Sequence, residues 1–382
     1  MNPSEYDSGL SELFTKAARL AEEELIRKSK GLECDPCDPL LPLKHGAAFF
    51  GREANQNFEL LVAEVFRFLK DPAIHYRFLI GPQGSGKTIF SLICAKYFRQ
   101  KGYKAKYQDL KTLFGDLPLN QGGKTPPLEE TEEKHDVIFF DNAFVIYQSL
   151  PDLLSMEVAG KPQRTKICLL MNLAEWEAYR RHCIVKSGNR TYQCFTLMPS
   201  LASPDIKDLI KSRLQVCSSN EDLSMEFRQL LEIIPPLAHG NPGLALRLLE
   251  EAIKFSSTKD DLRISLSVDL ETLTELSGTK IPLVREILVR EAQNESWTVK
   301  ERTYLQNRDL VDLLQKSKGT ISHHLRQLVQ QNLIYEQPMK DGREKAYRPN
   351  NTLFGLLEQY TFQPPHDLGN LSHSLEGISH EE

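Results

Sequence analysis

The chain has 382 residues, 40% of them hydrophobic, which is enough for two or three domains with apolar cores. Its formal net charge of −5 excludes a uniformly basic nucleic-acid-binding protein, so any nucleic-acid site has to be local. No apolar run is long enough to cross a bilayer, and the N-terminus lacks a signal-peptide pattern. We therefore expect a cytoplasmic protein, or a nuclear one in a eukaryote, without a membrane partner.

Residues 1–45 are predicted to form an N-terminal helical extension and linker, with helix-spaced apolar residues over 8–29. The seven cysteines are odd in number and scattered, which argues against a disulfide framework. Cys34 and Cys37 form a C-x-x-C pair, but a zinc site would need a second pair of ligands nearby. We expect these two thiols to be exposed to solvent in a flexible segment.

The most specific pattern lies in the next predicted domain, residues 46–200, between an apolar strand and a helix over 89–98. Eight residues there fit G-x-x-x-x-G-K-[ST], the P-loop that binds phosphates. Its glycines let successive N–H groups face one anion, and the start of the helix adds partial positive charge. The predicted nucleotide contacts are Gly81, Pro82, Gln83, Gly84, Ser85, Gly86, Lys87, Thr88 and Ile89.

Two polar residues follow apolar strands beyond this loop. Asp141 ends a run of four apolar residues, and because parallel strands end at one edge of a sheet, we expect it beside the P-loop. There it holds Mg²⁺ together with Thr88. Asn172 also ends a strand, where it faces the γ-phosphate, caps the following helix, or does both. Strands are predicted at 77–80, 103–107, 137–141 and 166–171, with a polar surface loop at 111–135 and a helix at 54–69 before the first strand.

The sequence over residues 201–275 has the apolar spacing of helices, and we interpret this segment as a small helical domain. Gly240, Asn241 and Pro242 form a turn, with the proline near the start of the third helix. Helices are predicted at 204–217, 224–235 and 242–256.

Residues 280–361 have the element order of a winged helix-turn-helix. A turn at 316–319 leads into a helix over 320–331 with one apolar face, and Asp341-Gly342 joins two strands as a hairpin. Seven basic and three acidic residues lie between 315 and 348, so double-stranded DNA is the expected partner, with protein contact as the alternative. The predicted DNA contacts are Thr320, His323, Arg326, Gln327, Arg343 and Lys345. Further helices are predicted at 282–292 and 307–316, strands at 333–336 and 345–348, and a disordered acidic tail at 362–382.

Together with Phe50-Gly51-Arg52-Glu53, these motifs resemble the AAA+ ATPases over roughly residues 46–350. By layout they are similar to the origin-recognition and initiator ATPases and to the related STAND ATPases. The resemblance implies an α/β parallel-sheet P-loop core of AAA+ type, a helical lid and a C-terminal winged helix-turn-helix. It also implies ATP and Mg²⁺ as ligands, with Lys87, Asp141 and Asn172 as catalytic residues, Thr88 and Asp141 at the metal, Arg52 near the adenine, and Pro242 against the nucleotide.

Two positions depart from the initiator pattern. Asn142 stands where AAA+ enzymes usually carry the glutamate that polarises water, and an amide cannot accept a proton. Hydrolysis is then slow or uses another carboxylate. Gly243 stands at the register of the sensor-2 arginine, and Arg247, one turn further on, is a substitute that we do not assume. The candidates for an arginine finger acting on a neighbouring subunit are Arg180, Arg181 and Arg190.

Three functions compete on this evidence. The favoured one is a DNA-binding AAA+ ATPase of initiator or loader type, self-associating through its ATPase core or binding a protein partner. The second is a STAND-like nucleotide-gated switch with little turnover, for transcription or defence. The third is a DNA-binding regulator that holds nucleotide only for stability. It fits least well with the P-loop at 81–88 (the Walker A motif), the strand 137–141 ending in Asp141 (the Walker B motif) and the strand-end Asn172.

Overall fold

The computed structural model describes most of the chain between residues 26 and 362. The described residues are 26–38, 41–44, 52–71, 74, 76–115, 135–146, 165–187, 194–198, 200–218, 223–255, 271–295, 302–338 and 345–362. Within these ranges, no helix combines the length and the apolar character needed to cross a membrane. The helix predicted at 8–29 falls outside them except for residues 26–29, which are helical. The tail predicted at 362–382 falls outside them except for Phe362.

The first part of the fold is a parallel sheet of five strands in the order β2–β3–β4–β1–β5. The helices of this part lie before, between and after the strands. The strands are β1 (Tyr76–Ile80), β2 (Ala105–Asp109), β3 (Val137–Asp141), β4 (Lys166–Met171) and β5 (Cys194–Leu197). The helices are α1 (Leu41–Lys44), α2 (Arg52–Lys70), α3 (Lys87–Gln100), α4 (Leu110–Gly115) and α5 (Leu173–Ser187).

The two faces of this sheet follow from the alternation of side chains along its strands. Phe78 and Ile80 of β1 belong to one apolar cluster, and Leu79 between them belongs to another. Phe78 packs against Trp176 of α5, while the opposite cluster includes Phe90 and Cys94 of the P-loop helix. Every residue of β3 and β4 is buried, as expected of parallel strands covered on both faces.

The sequence predictions for this part need three corrections. Residues 110–115, assigned in part to a polar loop, form helix α4. Strand β5 was not predicted, because it has only four residues and follows a polar stretch. The predicted strand over 103–107 lies two residues further on, at Ala105–Asp109.

Three helices follow: α6 (Ser203–Cys217), α7 (Met225–Ala238) and α8 (Pro242–Phe255). Helix α7 continues through Pro235 and Pro236, whereas the sequence predicted its end at residue 235. It ends where His239 and Gly240 adopt positive φ angles of 47° and 79°, a common geometry at helix C-termini.

Cys34 forms a disulfide bond with Cys217 at the end of α6, across a sequence separation of 183 residues. Cys37 is a free thiol of intermediate burial, and burial raises its pKa. The expectation of two solvent-exposed thiols was therefore wrong. The cysteine spacing gave no signal for this bond, because its partner lies in another part of the chain.

The C-terminal part has the helix-turn-helix and hairpin order that the sequence predicted. Its sheet has the order β6–β8–β7, with β7 and β8 pairing antiparallel. The last helix, α13, was not predicted, and residues 339–344, between β7 and β8, lie outside the described ranges. The elements are α9 (Glu271–Thr274), α10 (Lys280–Asn294), β6 (Leu305–Gln306), α11 (Asn307–Leu314), α12 (Lys318–Gln330), β7 (Ile334–Pro338), β8 (Lys345–Pro349) and α13 (Phe354–Thr361).

Candidate functional sites

The P-loop follows β1 and runs directly into helix α3. Gly84 and Gly86 have φ angles of 81° and 93°, a conformation that glycine adopts without steric cost. Helix α3 begins at Lys87, has no side-chain hydrogen bond at its N-cap and no acidic residue in its first turn. Its first N–H groups therefore remain available for an anion, as a phosphate-binding helix N-terminus requires.

The predicted proximity of Asp141 to the P-loop is confirmed. Thr88 Oγ1 donates a hydrogen bond to Asp141 Oδ2 at 2.5 Å, and the Tyr107 hydroxyl donates to the same oxygen at 2.8 Å. Burial raises the pKa of Tyr107, and the charge of Asp141 raises it further, so the phenol stays protonated as a donor. Sequence reasoning missed Tyr107, because only the pairing of β2 with β3 brings it to Asp141.

The side chain of Lys87 folds back and donates hydrogen bonds to the P-loop backbone. Its Nζ donates to Gly81 O at 2.8 Å and to Pro82 O at 2.9 Å. Burial lowers the pKa of Lys87, and the carboxylates of Glu358, Glu175 and Asp141 oppose that shift. Both hydrogen-bond acceptors of the Lys87 ammonium group are neutral carbonyls, and a bound triphosphate would offer it negatively charged acceptors instead.

The two asparagines of the site have different environments. Asn142 has a φ of 53°, and its Nδ2 donates to Asp109 Oδ1 at 2.8 Å. Asn172 Oδ1 accepts from the Glu175 N–H at 2.8 Å, while the Asn172 N–H donates to Glu175 Oε2 at 2.7 Å. This reciprocal pair is a helix-capping arrangement, so Asn172 caps α5 and also lines the cleft at the strand end.

The P-loop opens into a cleft of about 610 Å³ that is lined by all three parts of the fold. The ATPase core contributes the P-loop, Asp141 and Asn172, the helices after it contribute Pro242 and Leu246, and the C-terminal part contributes residues of α10, β8 and α13. Of the predicted nucleotide contacts, Gln83, Gly84, Gly86, Lys87, Thr88, Ile89 and Pro242 line the cleft, whereas Gly81, Pro82 and Ser85 do not. The side chain of Arg52 lies outside the described residues.

The residue before α8 and the first turn of α8 both contact the P-loop. Asn241 Nδ2 donates to Gln83 O at 2.8 Å, and the Gly243 N–H donates to Gly84 O at 2.9 Å. Arg247, the alternative to a sensor-2 arginine, is exposed on α8 and is not among the residues that line the cleft.

The last helix of the C-terminal part also reaches the P-loop. Glu358 of α13 accepts from the Gln83 N–H at 2.7 Å through Oε2 and from the Ala174 N–H at 2.8 Å through Oε1. Its side chain is fully buried, and burial raises its pKa to about 8, against the opposing effects of the two N–H donors and of Lys87. A Cβ atom at Gly355 would overlap Gln83 O. Helix α13 was not predicted, and no sequence motif marked Glu358.

Further ion pairs join the ATPase core to α10. Arg181 makes a bidentate contact with Glu286, at 2.7 and 2.8 Å, and Lys111 contacts Glu295 at 3.0 Å. Arg180 contacts Glu177 within its own helix at 2.8 Å. Two arginine-finger candidates are therefore engaged within the chain, and the third, Arg190, lies outside the described residues.

The candidate DNA surface is the outer face of helix α12. Ile321, Leu325 and Leu328 are buried, whereas His323 and Arg326 are exposed and Thr320 and Gln327 partly so. Lys345 on β8 contacts Glu336 at 2.6 Å, and Arg343 lies outside the described residues.

Arg348 does not belong to this surface. It donates to Glu291 Oε1 at 2.7 Å and lies 5.0 Å from the ring centre of Tyr304. The positive charge counted between 315 and 348 therefore overstates what the helix and the hairpin present to a ligand.

Comparisons with known proteins found one matching family model and several similar solved structures. A family model described as "Bacterial regulatory protein, arsR family" matches residues 301–336, and no curated protein matches the chain. Among solved structures, the ORC2 protein of Aeropyrum pernix in its ADP form is similar at 16% identity and a TM-score of 0.42, covering 80% of this chain and 93% of that chain. The Aeropyrum pernix ORC1 protein in complex with DNA matches at 12% identity and 0.41, covering 83% and 94%. AMPPCP-bound DnaA from Aquifex aeolicus matches at 13% identity and 0.40, covering 74% and 90%.

At these scores, the fold assignment depends on the chain's own topology. The P-loop follows β1, Asp141 ends β3 and Asn172 ends β4, in a parallel sheet ordered β2–β3–β4–β1–β5. The chain thus has the fold of a P-loop NTPase of AAA+ type with a C-terminal winged helix-turn-helix, the fold class that the sequence predicted.

Proposed function

We propose that the protein binds ATP with Mg²⁺ in the cleft between the P-loop and α8. The observation that carries the proposal is the hydrogen bond between Thr88 Oγ1 and Asp141 Oδ2, at 2.5 Å, in the first turn of the P-loop helix, whose N-cap makes no side-chain hydrogen bond. These two hard oxygen donors fit Mg²⁺, which would neutralise charge on the β- and γ-phosphates when bound. Lys87 would contact the phosphates, and Pro242 would pack against the nucleotide.

We further propose that the protein is a DNA-binding AAA+ ATPase of initiator or loader type. The arsR-family match at residues 301–336 covers helices α11 and α12, which supports a role of the exposed α12 face in reading duplex DNA. Helix α13 links this part to the P-loop through Glu358, which supports coupling between nucleotide and DNA. Self-association through the ATPase core, and domain boundaries at 46–200, 201–275 and 280–361, remain part of the proposal.

A nucleotide-gated switch with little turnover is the second candidate. Asn142 supports it, because its amide is hydrogen-bonded to Asp109 and accepts no proton. The contacts of Asn241 and Glu358 with the P-loop backbone also fit a protein that changes shape on nucleotide exchange.

The nucleotide proposal is tested by the affinity for a fluorescent ATP analogue, measured with and without Mg²⁺. Lys87→Ala should abolish binding, since the phosphates lose their charged partner. Lys101→Ala, which removes the exposed lysine that caps the C-terminus of the same helix, is the matched control and should bind normally. Equal affinity of the wild type and Lys87→Ala would refute the P-loop assignment.

The choice between the two candidates is tested by steady-state ATP hydrolysis with and without duplex DNA. Turnover that rises with DNA supports the initiator-type ATPase. Tight nucleotide binding with negligible turnover in both conditions supports the switch.

The DNA surface is tested by titrating duplex DNA at several salt concentrations. Arg326→Ala should weaken binding and reduce the salt slope by about 1 if the guanidinium contacts one phosphate. Lys211→Ala, at an exposed lysine on α6, is the control and should leave both unchanged. Unaltered affinity and slope in Arg326→Ala would exclude this face as the DNA contact.

A further inference from the structure

The position after the Walker B aspartate lacks a base, so hydrolysis requires another carboxylate in the cleft. Among the described residues, four carboxylates line it: Asp141, Glu175, Glu291 and Glu295. Glu291 is paired with Arg348 at 2.7 Å. Glu295 is paired with Lys111 and Arg302.

Both carboxylate oxygens of Asp141 already accept hydrogen bonds. One of its oxygens accepts from Thr88 and Tyr107, and the other accepts from the Asn142 N–H at 2.9 Å. It is also the residue that we assign to Mg²⁺. Glu175 is the one member of the set that has no ion pair with the described residues and is not assigned to the metal.

The topology places Glu175 on the side of the cleft where a γ-phosphate would lie. Strand β4 lies between β3, which ends in Asp141, and β1, which leads into the P-loop. Helix α5 begins at the end of β4, and Glu175 is its third residue. A carboxylate at this point lies between the two Walker motifs.

Two neighbours hold Glu175 in place. The Asn172 N–H donates to its Oε2 at 2.7 Å, and its own N–H donates to Asn172 Oδ1. The Ala174 N–H, one residue earlier, is held by Glu358. Glu175 Oε1 accepts no hydrogen bond from the part of the chain that the structure describes, so one oxygen remains for a water molecule.

We propose that Glu175 is the general base of ATP hydrolysis in this chain, in the role that Asn142 cannot perform. The inference depends on the proposed nucleotide site. The water oxygen forms a bond to the γ-phosphorus, and the bond from that phosphorus to the β–γ bridging oxygen breaks, with the electron pair leaving on ADP. The water proton passes to the Glu175 carboxylate and then to solvent.

The charged groups around Glu175 suit this role. Burial raises the pKa of Glu175 to about 7, and the negative charge of Asp141 adds to this rise. The hydrogen bond from the Asn172 N–H and the positive charges of Lys87 and Lys111 act in the opposite direction. Glu358 also faces it from α13. A base with a pKa near neutrality combines the ionised form with a useful affinity for the proton.

The test measures ATP affinity and hydrolysis in the wild type, Glu175→Gln, Glu175→Asp and Glu177→Gln. Glutamine keeps the hydrogen-bond acceptor for the Asn172 N–H, so the capping of α5 should persist. We expect Glu175→Gln to reduce turnover by about 10²–10⁴-fold with unchanged affinity, and to lose the acid limb of the pH–rate profile. Glu175→Asp should retain part of the activity and that limb, and Glu177→Gln, with one carboxylate fewer on the same helix, should hydrolyse normally.

The outcomes separate this inference from the nucleotide proposal. Wild-type turnover in Glu175→Gln, or turnover lost equally in Glu177→Gln, overturns the role of Glu175 and leaves nucleotide binding intact. Binding without hydrolysis in the wild type overturns it as well and favours the switch. Absence of nucleotide binding in the wild type refutes the nucleotide site itself.

Discussion

Gly355→Ala tests whether the last helix of the winged-helix part rests on the P-loop in solution. The new Cβ would overlap Gln83 O and lie 2.9 Å from Asn241 Nδ2. Both neighbours are held, since Asn241 donates to that same carbonyl. A backbone carbonyl cannot rotate away as a flexible side chain can, so helix α13 has to move.

Two effects of opposite sign set the magnitude. Alanine is favoured over glycine inside a helix by about 1 kcal/mol. Forcing an extra methyl group into a packed contact destabilises by about 1–3 kcal/mol. We therefore expect a net loss of up to about 2 kcal/mol, together with separation of Glu358 from the Gln83 and Ala174 N–H groups.

The matched control is Gly319→Ala in α12, where the nearest atom to a new Cβ is Ser317 Oγ at 3.9 Å. This control should gain up to about 1 kcal/mol, because only the helix preference changes. Denaturant midpoints measure the stability, and amide hydrogen exchange of Gln83 and Ala174 measures the docking. If Gly355→Ala is as stable as Gly319→Ala and leaves both amides protected from hydrogen exchange, α13 does not pack on the P-loop in solution.

Two further predictions concern stability. Replacing Cys34 and Cys217 by serine should destabilise the protein by about 2–5 kcal/mol, because the disulfide bond constrains the unfolded chain. Adding a reductant should lower the denaturant midpoint of the wild type and leave that of the double variant unchanged. Equal midpoints of the wild type and the double variant without reductant would contradict this prediction. For Glu358, the folded-state pKa of about 8 lies above the ordinary value of 4.5. Its stabilising contribution is therefore fully present below pH 4.5 and is lost as the pH rises through about 8. Glu358→Gln should show a smaller fall in the denaturant midpoint between these pH values, and an unchanged slope would contradict the raised pKa.

Local signals account for what the sequence predicted well. The P-loop is a contiguous motif, and its position between a buried strand and a helix follows from periodicity alone. Asp141 was placed beside it because parallel strands end at one edge, and the contact with Thr88 confirms that placement. Helix α12 was found from its apolar stripe, with Ile321, Leu325 and Leu328 buried as expected.

The parts that sequence reasoning missed depend on contacts between distant segments. Tyr107 joins the site through strand pairing, and Glu358 joins it from 275 residues beyond Gln83. The bond between Cys34 and Cys217 likewise pairs residues without a shared motif. Arg348 was counted with the DNA surface because charge is visible in a sequence, whereas its partner Glu291 is visible only in the fold.

The position of helix α13 changes what a shortened form of this protein would be. A chain cut before Phe354 would retain both Walker motifs and helix α12. It would nevertheless leave the N–H groups of Gln83 and Ala174 without the carboxylate that both now share, and it would remove Phe354 from the wall of the cleft. A C-terminal truncation of the winged-helix part would therefore also disturb the proposed nucleotide site, and loss of nucleotide affinity in such a fragment would say nothing about the P-loop itself.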